Sequence, residues 1–367
     1  MTEDGRLRIA DDTLVGDLAR AGQGYDAVPA YPADSIAVLA REGLLRRFAP
    51  VESGGERFAD TSARNLEMFD ALRRVGRGDL SVGRLYEGHV NAMTLFDWYG
   101  DADQRAWLGA ALDRDAVFGV WATEPAPGVA LVGADEPWRL EGAKSFASGA
   151  GGIAYAIVTV RPEQGDRRLA VVAADDPART DASGWQVRGM RASLSGLYDL
   201  TGCPIADADL LGAPGDYDRE PRFTSGAWRF TAVQLGGIEA LLAETRRALS
   251  DAAKDDPLAR AAFGQMVVAT RTAWFWVKRA ALLAAADHSD AAAFARMTRG
   301  VVERAGLDVM EHAARLVGTR SAFAGQRVDK IIRDLSLYLR QAGPDHARDA
   351  AVVDWLDHDC WGGDDLW

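Results

Sequence analysis

The sequence predicts an α+β fold, mostly α, in which two helical regions enclose a smaller β-rich domain. Apolar residues recur at three- and four-residue steps near both ends of the chain. Between these regions, short β-branched runs are divided by Gly, Pro and Asp clusters, and no helix-length amphipathic segment interrupts them. The predicted division is 1–115, 116–222, 223–345 and an acidic tail at 346–367.

The N-terminal region is predicted to be helical from about Ser35 to Leu112. An apolar stripe runs along SIAVLAREGLLRRF. Thr61 or Ser62 can cap the next helix, and SVGRLYEGHVNAMTLFDWYG continues the same period.

The middle region reads as a series of strands. Four runs have β-branched or aromatic character: VFGVWAT, AYAIVTV, RLAVVAA and GWQVRGM. A parallel doubly wound sheet would need crossover helices, so the pattern favours an antiparallel barrel or sandwich.

The C-terminal region reads as long helices joined by short polar links, which is typical of a bundle such as a four-helix bundle. Gly236 and Gly237 lie inside the first of them. Glycine costs a helix roughly 1 kcal/mol relative to alanine. We therefore expect another backbone or a ligand to approach closely there.

Composition narrows the function. The net charge of −12 argues against binding to nucleic acid or to anionic membranes. The N-terminus has no apolar signal segment, and no run of about 20 apolar residues is present, so a cytoplasmic protein is expected. Cys203 and Cys360 are expected to be free thiols.

Several common motifs are absent or misleading. Gly149, Gly151 and Ala154 fit a dinucleotide-binding pattern, but IAYAIVTV follows where a helix is required, so a tight turn between strands is predicted. There is no G-x-S-x-G. No metal site is predicted, because the histidines lack ligand spacing and His358-Asp359-Cys360 lies in a tail.

An ordered set of motifs runs from the β-rich region into the C-terminal helices. VWATEPAPG precedes WRLEGAKSFASGAGGIAYAIVTV, then VRGMRASLSGLYDLTGCPIADADLLGAPGDY, and later VGTRSAF and IIRDLSLYL. Over about residues 35–345 this order resembles the acyl-CoA dehydrogenase-like flavoprotein superfamily. The residues in register are Thr123-Glu124-Pro125, Gly142, Lys144, Phe146, Ser148 and Gly189-Met190-Arg191.

The resemblance implies FAD bound without a covalent bond. It implies that Thr123, with the neighbouring Trp121 and Ala122, contacts the flavin ring. Phe146 stands where the superfamily often has Trp against the ring, and Ser148 stands where it has Thr. Each of these residues alone has a structural explanation, such as a turn or a core aromatic, but together they favour a flavin site.

The resemblance also implies a homodimer or homotetramer. Val317 and Gly318 fall in a turn that reaches FAD, commonly across a subunit interface. As the alternative, Gly318 can be the cap at a helix C-terminus.

The usual catalytic base is missing. The superfamily's Glu follows the Arg of the R-D pair by about nine residues, and here that place is Ala342. Asp345 is the nearest acidic candidate, and a surface position suits it equally. The segment FTSGAWRF, where some members carry the base, has no carboxylate, and Arg229 follows the expected arginine position, Ala227, by two residues.

Three functions remain open. The first is an FAD-dependent oxidoreductase that acts on a small molecule such as a CoA thioester, with a displaced base. The second is a flavin monooxygenase or hydroxylase of the same superfamily, which also lacks the Glu. The third is a flavin-binding scaffold without catalysis.

Overall fold

The computed structural model describes residues 13–133, 136–341 and 343–356. Along the chain, one helical region precedes a β-rich region and another follows it, which confirms the predicted order. Among the described helices, none is both long and apolar enough to cross a membrane.

Six helices make the described part of the N-terminal region. Asp60, rather than Thr61 or Ser62, caps the fourth of them, because its carboxylate accepts from the Ala63 N–H at 2.7 Å. Asp79 caps the fifth in the same way, by accepting from the Val82 N–H. The helices are α1 (Thr13–Ala27), α2 (Ala33–Arg41), α3 (Leu44–Arg47), α4 (Thr61–Gly78), α5 (Leu80–Tyr99) and α6 (Ala102–Leu112).

The middle region contains three small sheets, ordered β1-β5-β6-β10, β2-β3-β9 and β4-β8-β7. Their strands are β1 (Phe118–Trp121), β2 (Ala130–Val132), β3 (Trp138–Glu141), β4 (Ala143–Ala147), β5 (Tyr155–Val160), β6 (Arg168–Ala173), β7 (Thr180–Asp181), β8 (Gly196–Asp199), β9 (Pro204–Ile205) and β10 (Leu210–Leu211).

The β-rich middle region is as predicted, but two of its details differ from expectation. The described sheets do not close into a barrel, and β1 pairs with β5 in parallel although the other pairs are antiparallel. The parallel pair needs no crossover helix, because β2, β3 and β4 form the connection. The segment GWQVRGM is not a strand. Met190 has a φ of 56°, and Gly189 lies so close to the backbone at Arg333 that an added Cβ would be 2.1 Å from the Arg333 carbonyl oxygen.

The C-terminal region is a helical bundle that extends past the predicted boundary. Residues 344–356, expected partly as tail, form a helix whose Ala347 and Ala351 are buried. Residues 357–367, including Cys360, lie outside the described residues. The helices are α7 (Arg222–Ser225), α8 (Trp228–Ala248), α9 (Asp251–Asp255), α10 (Pro257–Ala285), α11 (Ala291–Val317), α12 (Arg327–Tyr338) and α13 (Pro344–Leu356).

The glycines inside α8 explain how the two helical regions meet. A Cβ on Gly236 would lie 2.1 Å from the Arg73 carbonyl oxygen of α4. A Cβ on Gly76 of α4 would lie 2.3 Å from the Val233 carbonyl oxygen. The predicted close backbone approach is therefore confirmed, and it packs α8 against α4.

Candidate functional site

A cavity of about 560 Å³ lies between the β-rich region, α5 and the end of α12. This volume is within the usual range for small-molecule sites, roughly 300–1,000 Å³. We call it the central cavity. It is lined by Arg84, Glu87, Asn91, Val120, Trp121, Ala122, Thr123, Ser145, Phe146, Ser148, Trp185, Met190, Ser193, Ser195, Tyr217, Leu337, Tyr338, Arg340 and Gln341.

Five of the seven residues predicted to contact flavin line this one cavity: Trp121, Ala122, Thr123, Phe146 and Ser148. They come from the end of β1, the loop after it, and β4 with the residue that follows it. A planar ligand could contact all five residues only if they bordered the same cavity, as they do here.

Phe146 has an unusual position for a large aromatic side chain. It is 63% exposed, and its φ is 52°, in the left-handed region. Its ring meets Trp185 edge to face, with ring centroids 6.4 Å apart. An apolar ring held out by a strained backbone beside a cavity marks a surface suited to a planar ligand.

The hydroxyl groups of three serines form a directed chain at the cavity wall. Ser193 Oγ donates its only proton to the Met190 carbonyl at 2.9 Å. Ser195 must therefore donate to Ser193 across 2.9 Å, and Ser148 must donate to Ser195 across 2.8 Å. This leaves Ser148 able to accept a hydrogen bond from a ligand but not to donate one.

A buried ion pair anchors the loop after β1, which carries Thr123. Lys144 of β4 is fully buried, pairs with Glu124, and donates to Thr159 Oγ1 at 2.8 Å. Burial lowers the pKa of Lys144. The Thr123 carbonyl also accepts from the Ser145 N–H at 3.0 Å, so the loop is held to β4 from both sides.

A polar network on α5 was not predicted. Arg84 and Asn91 both donate to the carboxylate of Glu87, and Arg229 Nε of α8 donates to Asn91 Oδ1 at 2.5 Å. Burial lowers the pKa of Arg229 to about 10. The available sequence signal was the spacing of Arg84, Glu87 and Asn91, which puts three polar residues on one face of an otherwise apolar helix.

The other predicted site residues lie elsewhere. Val317 and Gly318 end α11, where Gly318 has a φ of 69° and acts as the helix cap, and neither lines the central cavity. The side chain of Asp345 is 82% exposed and pairs with Arg348, so its position does not suit a base for this cavity. Ala342, the place of the usual Glu, lies outside the described residues.

His89 of α5 is fully buried near the cavity but is already satisfied. Its Nε2 lies 2.6 Å from the Leu45 carbonyl, and its Nδ1 accepts from the Phe118 N–H at 3.1 Å. Burial lowers its pKa to about 4, so it is neutral at pH 7. In the part of the chain that the structure describes, no cluster of His, Cys, Asp and Glu is arranged to hold a metal.

Comparison with known proteins agrees with this architecture. No family model matches the chain. The dibenzothiophene monooxygenase of Mycolicibacterium goodii is 22% identical over 314 residues, which is 72% of this chain and 74% of that protein.

Two solved structures are similar over nearly the whole length. FMN-bound TdsC from Paenibacillus sp. A11-2 has a TM-score of 0.83 at 18% identity, covering 94% of this chain and 96% of that chain. The methanesulfinate monooxygenase MsuC from Pseudomonas fluorescens has a TM-score of 0.81 at 20% identity, covering 94% of each chain. The resemblance found in the motifs is thus confirmed at the level of the fold: this chain has the acyl-CoA dehydrogenase-like fold.

Proposed function

We propose that the protein is a flavin-dependent monooxygenase that uses reduced FMN and molecular oxygen on a small molecule. The proposal rests on the lack of a free carboxylate among the described residues that line the central cavity. Among the described lining residues Glu87 is the one carboxylate, and it already accepts from Arg84 and Asn91. An acyl-CoA dehydrogenase needs a free base for the α-proton, and a positioned base is worth roughly 10²–10⁴-fold in rate.

The residues present fit a flavin ring. Phe146 and Trp185 offer apolar faces, and Thr123 supplies a hydroxyl on the facing loop. The Ser148 hydroxyl can accept a hydrogen bond from a ligand but cannot donate one. It is therefore suited to the flavin N–H that is present in the reduced ring and absent from the oxidised ring. When bound, reduced flavin supplies the electrons that activate oxygen for transfer of one oxygen atom to the substrate.

The protein's own residues have three tasks in this proposal. Ser148 favours the reduced ring over the oxidised ring through its directed hydrogen bond. Phe146 and Trp185 cover one side of the ring and keep water from it. The Arg84–Glu87–Asn91 network lies on the α5 wall of the cavity, where it can hold a polar group of the substrate.

The resemblance in the motifs implied FAD, whereas the solved structure of TdsC contains FMN. We therefore propose FMN as the cofactor. A second copy of the chain is proposed to bring Val317 and Gly318 to the flavin. In support, Val268 and Phe275 lie seven residues apart on α10 and are 66% and 63% exposed, which suits an apolar interface.

The proposal is tested on the purified protein with FMN and with FAD. Quenching of flavin fluorescence gives both affinities, and tighter binding of FMN is expected. The photoreduced complex is then mixed with oxygen, and in parallel the oxidised complex is mixed with butyryl-CoA without oxygen. We expect two-phase reoxidation by oxygen and no bleaching by the thioester. Bleaching by butyryl-CoA would establish the dehydrogenase instead. Flavin binding without either reaction would leave the flavin-binding scaffold, and failure to bind either flavin would refute all three functions.

A further inference from the structure

A second cavity of about 330 Å³ adjoins the central cavity. The two share a wall formed by Glu87, Asn91, Val120 and Tyr217. On its far side the second cavity is bounded by α7, the start of α8 and α11. We call it the arginine cavity, because Arg222, Arg229, Arg296 and Arg299 line it.

Two of these arginines have their own carboxylates. Arg222 pairs with Asp287 at 2.9 Å, and Arg296 pairs with Asp354 at 2.7 Å. Within the described part of the chain, the other two have no carboxylate within ion-pair distance. Arg229 bonds to the neutral amide of Asn91, and Arg299 has no hydrogen-bond partner at Nε or Nη2 although both atoms are buried.

Arg299 is therefore a half-buried cation without an anion, and its Nε and Nη2 atoms are buried without a partner. Its guanidinium lies over the Phe230 ring, 5.6 Å from the centroid, which supplies weak compensation only. Burial and the neighbouring Arg296 lower the pKa of Arg299. A desolvated charge without a partner is costly, and a bound oxyanion would remove that cost.

Aromatic side chains form much of the rest of the wall. Trp98, Tyr99, Phe223 and Phe230 line the cavity, with Tyr217 in the shared wall. Apart from Glu87, which is held by Arg84, the described lining residues include no carboxylate that would repel an anion. The small volume limits the occupant to about the size of one ring.

We propose that the arginine cavity binds the substrate as a small organic oxyanion with an aromatic or apolar body, its carboxylate or sulfur oxyanion on Arg299 and Arg229. The body then extends over the shared wall into the central cavity. A planar guanidinium matches such two-oxygen groups in a forked geometry. This assignment deepens the proposed function and rests on it for the reaction, but the binding site itself does not require flavin.

Calorimetric titration of the protein with benzoate and with benzenesulfinate tests the site, both without flavin and with FMN bound. Benzamide is the neutral control. We expect both anions to bind at least tenfold more tightly than benzamide, and the tighter of the two identifies the oxyanion. Arg299→Gln should weaken anion binding about tenfold or more, and Arg299→Lys should restore part of it.

Arg315→Gln is the matched control, because Arg315 is exposed and pairs with Glu311. It should leave anion binding unchanged. Removing an unpaired half-buried charge should leave the Tm of Arg299→Gln, measured without ligand, equal to or above the wild-type value. Equal binding of benzamide and benzoate, or unchanged anion binding in Arg299→Gln, overturns the proposal.

The phosphate of FMN is the competing occupant. Comparison of FMN with riboflavin separates the two, because Arg299→Gln would abolish a preference for FMN if Arg299 held that phosphate. That result also overturns the proposal. Arginine-dependent binding of benzoate without any flavin binding would instead refute the monooxygenase and leave the anion site standing.

Discussion

The carboxylate of Asp334 on α12 accepts a hydrogen bond from the backbone N–H of Met190 at 2.6 Å. Lys330 donates to the same carboxylate at 2.6 Å, and also to Asp79 at 2.8 Å. Met190 begins the segment that carries Ser193 and Ser195 of the hydroxyl chain. Two motifs far apart in the sequence, G-M-R and R-D, are therefore two halves of one contact that shapes the central cavity.

Asp334→Ala should lower the free energy of unfolding by about 3–5 kcal/mol, because it leaves Lys330 buried with one partner fewer and Met190 without its acceptor. Urea unfolding followed by circular dichroism measures the change. Asp308→Ala removes an exposed pair with Arg304 and should cost less than about 1 kcal/mol. Similar losses in the two variants would contradict the role of Asp334.

Gly189→Ala should destabilise the protein by about 1–3 kcal/mol, because the new Cβ would lie 2.1 Å from the Arg333 carbonyl oxygen. Gly184→Ala lies five residues earlier, where a Cβ meets nothing within 4 Å, and should be neutral or slightly stabilising. Thermal unfolding of the pair is the comparison. If the Gly189→Ala and Gly184→Ala variants have the same Tm, α12 does not pack against this segment as closely as described.

His89 should make stability fall as the pH falls. Its folded pKa of about 4 lies below the ordinary histidine value of 6.5, so the unfolded chain takes up the proton first. The stabilisation is present above pH 6.5 and is lost as the pH drops towards 4. It amounts to about 3 kcal/mol, at roughly 1.4 kcal/mol for each pKa unit.

The His89 effect is measured as the difference between wild type and His89→Gln at each pH, since other groups contribute equally to both. Protonated Nδ1 would face the Phe118 N–H instead of accepting from it, whereas glutamine does not titrate. We expect the wild-type advantage to shrink by about 3 kcal/mol between pH 7 and 4. A constant difference across this range would show that His89 is not held neutral.

Ser195→Ala should lower the reduction potential of bound FMN. It breaks the directed chain, so Ser148 recovers a proton to donate and no longer favours the reduced ring. One hydrogen bond of about 0.5–1.5 kcal/mol corresponds to a shift of roughly 10–30 mV for two electrons. Dye-linked titration measures the potential, with the exposed Ser183→Ala as control. An unchanged potential in Ser195→Ala would remove the chain from the flavin site.

Local features of this fold were predictable, and pairing between distant segments was not. The period of apolar residues located α5. Gly236 indicated that another backbone or a ligand approaches its helix closely. Each of these signals lies within a single helix. The parallel pairing of β1 with β5 depends on partners 37 residues apart along the chain, such as Phe118 and Tyr155, which no strand pattern specifies. The segment around Met190 was wrongly predicted as a strand, because the contacts that fix its conformation come from α12, which is distant in the sequence.

The candidate site divides in the same way. Thr123, Phe146 and Ser148 could be named because their motifs are short and ordered, and their contact with flavin stays a prediction. Arg229 and Arg299 converge with Glu87 only after three helices pack together. Arg229 was noted only as out of register, and Arg299 stood out in no motif.

The contact between Asp334 and Met190 also sets an order of events during synthesis. The chain emerges from the ribosome with Met190 made and its acceptor still 144 residues away. The last described wall of the central cavity, at Leu337 to Gln341, follows only after Asp334. Translation must therefore pass residue 341 before the cavity can assemble, so the nascent β-rich region folds before this wall of the cavity exists.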